Sequence, residues 1–154
     1  MAIWDRYAPG YAEERAAVLT NLGHLCYLQR RFDEAEALHR RALDAVVPSD
    51  PAVEAAVLHN LANLYSAQDR FPAAEPLYRR SLELRKATLG PDHPVVATIL
   101  ADYAQALRRN KRARDARRLE SQARRVRNNL LGHTIDVRTL RKGYAGSLLE
   151  PMSR

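Results

Sequence analysis

The chain has 154 residues, room for one domain or a short repeat array, and its 46% hydrophobic and 28% charged content favours folding over disorder. No apolar run approaches the ~20 residues of a membrane-spanning helix, Met1–Tyr7 shows no basic stretch leading into an apolar one as a secretory signal would, and the single Cys26 excludes an internal disulfide or a multi-cysteine zinc site. The formal charge of +7 is uneven: Met1–Leu107 carries 11 basic and 14 acidic residues (net −3), Arg108–Arg154 carries 14 and 4 (net +10).

Residues 1–10 read as a tail. Leu19, Leu22, Gly23 and Cys26 then fall at i, i+3, i+4 and i+7, the stripe of an amphipathic helix. Arg31–Glu36 and Leu38–Leu43 predict a second helix, in which Asp33 and Glu36 have the spacing of a capping box. Asp50 ahead of Pro51 marks the next helix start, a cap residue before a proline at the first helical position. From there the pattern returns at an offset of 39 residues: Leu58–Tyr65, Arg70–Glu75 and Leu77–Leu82 repeat the earlier strings. Gly90-Pro91-Asp92 is a turn, and His93 before Pro94 repeats the start signal. A third, degenerate copy occupies Leu100–Leu107 and Ala113–Arg117, offset 42 from the second. With no alternating β-branched run, the fold class is all-α. Gly23, Ala62 and Ala104 face Ala35, Ala74 and Ala116 across each predicted pair and allow close approach, with Phe32 and Phe71 plugging the gap. Cys26, in the slot of Tyr65, is expected to be a buried small hydrophobe.

The order Leu-x-x-Leu-Gly/Ala-x-x-Tyr, then Phe-x-x-Ala, then an aromatic and a small residue resembles the tetratricopeptide repeat. The second copy supplies Leu58, Leu61, Ala62, Tyr65, Phe71, Ala74, Tyr78 and Ser81; the first supplies Leu19, Leu22, Gly23, Cys26, Phe32, Ala35, His39 and Ala42. Ala74–Arg80 and the linker Thr88–Ala97 are similar to the 42-residue repeats of kinesin light chains and bacterial relatives. The third copy departs, with Ala113 for the aromatic and Glu120 in the place of Tyr78. The resemblance spans roughly residues 12–142 and implies a right-handed α-solenoid of antiparallel helix pairs. Its units are 12–48, 51–90 and 94–130, followed by a partial or capping helix at 133–142, where Leu131–Leu140 echoes the earlier linker. Residues 143–154 read as a second tail.

Little in the chain suggests chemistry. The six glycines make neither a phosphate-binding loop nor a dinucleotide fingerprint. His93 and His133 hold equivalent linker positions and read as helix-start residues. His24 and Cys26, two apart on a helix, point to different faces and so do not converge with His59 on a metal. A non-catalytic protein without metal or cofactor, in the reducing cytoplasm, is the expectation.

The resemblance implies that the first helix of each repeat lines a concave groove. Its outward positions hold Asn21 and His24, Asn60 and Asn63, then Asp102 and Gln105, flanked by Thr20, Tyr27, His59, Ser66, Arg108 and Arg109. Asparagine amides there would both donate to and accept from the main chain of an extended partner peptide. Arg108 and Arg109 would favour an acidic residue or a C-terminal carboxylate. The alternative partner is nucleic acid or another polyanion on the basic face formed by Arg112, Arg117, Arg118, Arg124 and Arg125. Residues 108–130 hold no aromatic on which bases could stack. Self-association through the solenoid ends is the remaining partner reading.

Overall fold

Apolar residues at helical spacing produce six α-helices in the computed structural model, which describes residues 10–46 and 50–133. They are α1 (Gly10–Leu28), α2 (Phe32–Ala45), α3 (Pro51–Ala67), α4 (Phe71–Leu89), α5 (Pro94–Arg109) and α6 (Ala113–His133). No strand occurs among the described residues. The helices pair as α1 with α2, α3 with α4 and α5 with α6, and each pair stacks on the next through α2–α3 and α4–α5.

The start and stop signals act largely as the sequence suggests. Asp50 Oδ1 accepts from the backbone N–H groups of Ala52 (2.9 Å) and Val53 (3.0 Å), capping α3. The Nδ1 of His93 accepts from Val95 N–H at 3.2 Å, capping α5. Gly90 ends α4 with φ +86°. The capping box expected at Asp33 and Glu36 does not form. Helix α2 already starts after Arg31, so Asp33 lies inside its first turn and the donor-only arginine supplies no side-chain cap, while the Glu36 carboxylate is held by residues of the following repeat. Gly132 lies within α6, unlike Gly90, and the helix expected at 133–142 otherwise lies outside the described residues, as do both predicted tails beyond Gly10.

The turns inside the pairs share one geometry. Arg30, Asp69 and Lys111 each adopt a left-handed conformation, with φ of 61°, 58° and 60°. The following N–H of Arg31, Arg70 or Arg112 bonds back to the carbonyl of Cys26, Tyr65 or Leu107 at 2.8–2.9 Å, closing a Schellman-type helix end.

Small residues set the spacing within the pairs. A Cβ placed on Gly23 would lie 2.8 Å from the His39 ring, so glycine is needed there for the ring to fit. Ala35, Ala62, Ala74 and Ala116 are wholly buried, and Phe71, Cys26, Leu64, Ile99 and Leu107 fill the core around them. First helices touch their successors (α1 with α3, α3 with α5), whereas the backbones of α2, α4 and α6 do not approach one another among the described residues. The array therefore curves with α1, α3 and α5 on the inside.

Candidate functional site

The inner face carries a polar seam centred on Asn63. Its Oδ1 accepts from the Tyr78 hydroxyl at 2.6 Å, and its Nδ2 lies 3.3 Å from His59 Nε2 and donates to Asp102 Oδ2 at 3.4 Å. His59 Nε2 meets the same Asp102 oxygen at 2.8 Å. Burial above all, with the charge of Asp102, pushes the Tyr78 phenol well above its ordinary value, so it stays a donor. Beside this network lies a recess of about 100 Å³ lined by Tyr27, Asn63, Ser66, Tyr78, Asp102, Gln105 and Arg109. All three repeats contribute to it.

The other predicted groove residues are more dispersed. Asn21 and His24 are exposed on α1, and His24 stacks on Tyr27 with ring centroids 6.0 Å apart. Asn60 is half-buried on α3. Thr20 is buried, its hydroxyl donating to the Ala16 carbonyl of its own helix at 2.6 Å. Arg108 is taken by Glu120, which accepts from its Nε at 2.5 Å and its Nη2 at 2.7 Å. That pair holds the Glu120 carboxyl below its ordinary value. Of the two arginines only Arg109 lines the recess. Among the described residues no three His, Cys, Asp or Glu side chains converge as a metal site would require.

Two carboxylates, Glu36, expected only to cap its helix, and Glu75, to which the sequence analysis gave no role, tie successive repeats together. Glu36 on α2 accepts from Arg40 (2.8 Å) of its own helix, and from Arg70 (2.7 Å) and the Tyr65 hydroxyl (3.0 Å) of the next repeat. Glu75 on α4 repeats this with Arg79 (2.7 Å), Arg112 (2.8 Å) and the Tyr103 hydroxyl (2.9 Å). Partial burial opposes ionisation, yet the arginine and tyrosine donors outweigh it and hold both carboxyls below the usual range. The signal was present in the sequence: Glu36 and Glu75 share the 39-residue offset, and Arg70 and Arg112 the 42-residue one.

The basic face divides in two. Arg112 is committed to Glu75 and to Asp115, the latter at 2.7 Å. Arg117, Arg118, Arg124 and Arg125 are exposed along α6, over a buried stripe of Ala116, Ala123 and Val126.

Stacked helix pairs with their first helices on the inside define an α-solenoid repeat protein. Two family models, each described as tetratricopeptide repeat, match residues 53–129 and 18–52, and the chain belongs to that family. A comparison with curated proteins gives no match. Tetratricopeptide repeats as a family mediate protein–protein interactions. No helix among the described residues is long and apolar enough to cross a membrane.

Proposed function

We propose that the chain is a non-catalytic interaction module that holds an extended peptide of a partner protein along its inner face. The observation that carries this reading is the recess where the guanidinium of Arg109, which pairs with no carboxylate among the described residues, the Tyr27 ring and the fixed amide of Asn63 meet. Its size suits one acidic side chain or a C-terminal carboxylate. Asn63, oriented by Tyr78 and Asp102, and Gln105 line the recess, and His59 supports it from behind through Asp102, while Asn21, His24 and Asn60 offer their polar groups farther along the groove. Arg108 steadies α6 through Glu120 rather than meeting the peptide.

The test is selection from a displayed peptide library carrying free C-termini, followed by fluorescence anisotropy with the peptides that emerge. They should be acidic or C-terminally anchored, and Arg109→Ala should weaken them by about 1.5–3 kcal/mol, the value of a hydrogen bond to a charged group. Equal binding to the wild type, Arg109→Ala and Asn60→Ala would discard the groove. A polyanion on α6 is the second reading, supported by the exposure of Arg117, Arg118, Arg124 and Arg125 along one helix. It requires an oligonucleotide shift that falls steeply with salt and disappears when those four become Glu.

A further inference from the structure

The outer end of the first repeat is unlike the surface of a finished array. Val18, Leu22 and Leu25 form a stripe at i, i+4 and i+7 on α1 and are 64%, 46% and 54% exposed. Their equivalents 39 residues on are the identical residues Val57, Leu61 and Leu64, exposed by only 0%, 4% and 0%. The third repeat places Ile99, Tyr103 and Ala106 there, again buried. In each inner repeat the second helix of the preceding pair packs on the helix that carries the stripe, α2 on α3 and α4 on α5, and Leu38 of α2 and Leu77 of α4 pack on the apolar core that holds these stripe residues.

Charge accompanies this packing. Two residues before each covering leucine stands a glutamate, Glu36 or Glu75, that receives the arginine of the following turn, Arg70 or Arg112. Arg31 is the matching arginine of the first repeat. Its Nη1 donates to Gln29 just as Arg70 Nη1 donates to Gln68, but where Arg70 Nη1 also meets Glu36, no preceding carboxylate reaches Arg31 among the described residues. Its one ion pair there, to Glu34, lies within its own repeat. The end of the array thus displays an apolar stripe and a cation in the arrangement that elsewhere in the chain receives a Glu-x-Leu helix.

We propose that this face is a docking site for an amphipathic helix of a partner protein that presents Glu-x-Leu in the register of Glu36 and Leu38. Helix α6 of a second copy does not meet that description, because Arg117-Arg118-Leu119 stands where Glu36-Ala37-Leu38 and Glu75-Pro76-Leu77 stand. Head-to-tail stacking would press Arg117 towards Arg31, and an apolar face with a cationic edge selects an acidic helix instead.

The probe is a fluorescein-labelled peptide of the α2 sequence, residues 31–46, which already covers the identical Val-Leu-Leu stripe of α3. Titrated with the full chain, it should show saturable anisotropy that Leu22→Glu or Val18→Glu weakens at least tenfold. Both residues are exposed, Val18 more than Leu22, so circular dichroism should show those variants folded. A peptide with Glu36→Arg should bind at least fivefold worse to the wild type and recover on Arg31→Glu. The proposal is overturned if the peptide does not bind or binds Leu22→Glu and Val18→Glu equally well. A wild type that sediments as a dimer and becomes monomeric on Leu22→Glu would overturn it in favour of a second copy. Binding that emerges only after removal of residues 1–9 would overturn it in favour of the chain's own N-terminal segment.

Discussion

His39 gives the chain an acid sensitivity that can be calculated. Its ring is fully buried and packs directly on Gly23 of α1, and both ring nitrogens lack a hydrogen-bond partner among the described residues. Burial, reinforced by the charge of His24, depresses its pKa from 6.5 to about 4. The unfolded chain therefore takes up this proton before the folded chain does, and stability falls as pH drops from about 6.5 towards 4. With those two pKa values the linkage loss is about 2 kcal/mol between pH 7 and pH 5, and about 3 kcal/mol by pH 4. Replacing the ring by one that cannot titrate, His39→Phe, should remove this loss. Urea unfolding followed at 222 nm, at pH 7 and pH 5, measures it. Glu36 and Glu75 stay ionised in that window, since both titrate below the usual glutamate value. The stability of His39→Phe at pH 7 combines relief of two unpartnered nitrogens with crowding against Gly23, so the pH difference carries the test. His24→Gln should keep most of the loss, because burial leads over charge. An equal loss from pH 7 to pH 5 in the wild type and in His39→Phe would refute the reasoning.

Three further outcomes follow from the helix ends and the inter-repeat contacts. Asp50→Ala removes both capping hydrogen bonds and should cost about 1 kcal/mol; an unchanged thermal midpoint would show that Pro51 alone sets the start of α3. Lys111→Gly relieves a left-handed residue, a strain of about 1–2 kcal/mol, against an entropic loss of about 0.5–1 kcal/mol, so a net gain of about 0.5 kcal/mol should appear as a slightly higher midpoint. Glu75→Gln removes a charged acceptor from three donors and should cost about 1–3 kcal/mol at pH 7. Since the folded-state pKa of Glu75 is depressed, that difference should be present at neutral pH and shrink as pH falls through the carboxylate range. A constant gap down to pH 3 would place the cost in packing instead.

The periodic parts of the molecule were legible from the chain alone. Leu58, Leu61, Ala62 and Tyr65 announce a helix by spacing, and alanines at matching offsets announce where two helices touch, because both signals are local or strictly repeated. What escaped depends on side chains 12 or more residues apart, brought together by pairing and stacking of helices. Glu36 looked like a capping carboxylate when read with Asp33; only stacking brings Tyr65 and Arg70 within reach and makes it an inter-repeat acceptor. Arg108 and Arg109, adjacent in sequence, looked equivalent, yet one faces Glu120 and the other the recess. Asn63 looked like a free amide until Tyr78 and Asp102 were placed around it. His39 stood in an aromatic slot, and nothing in its neighbours along the chain told that its nitrogens would have no partner.

The separation of the α2, α4 and α6 backbones has a mechanical consequence. With neighbouring second helices apart, bending the array acts chiefly on the stacking of α2 on α3 and of α4 on α5, on the lighter contacts of α1 with α3 and α3 with α5, and on the ties at Glu36 and Glu75. The chain is in this respect a leaf spring riveted at two points. In the proposed groove on its inner layer, the separation of Tyr27 and Arg109 would follow how far that spring is flexed, so an occupant wedged between them would change the curvature of the array.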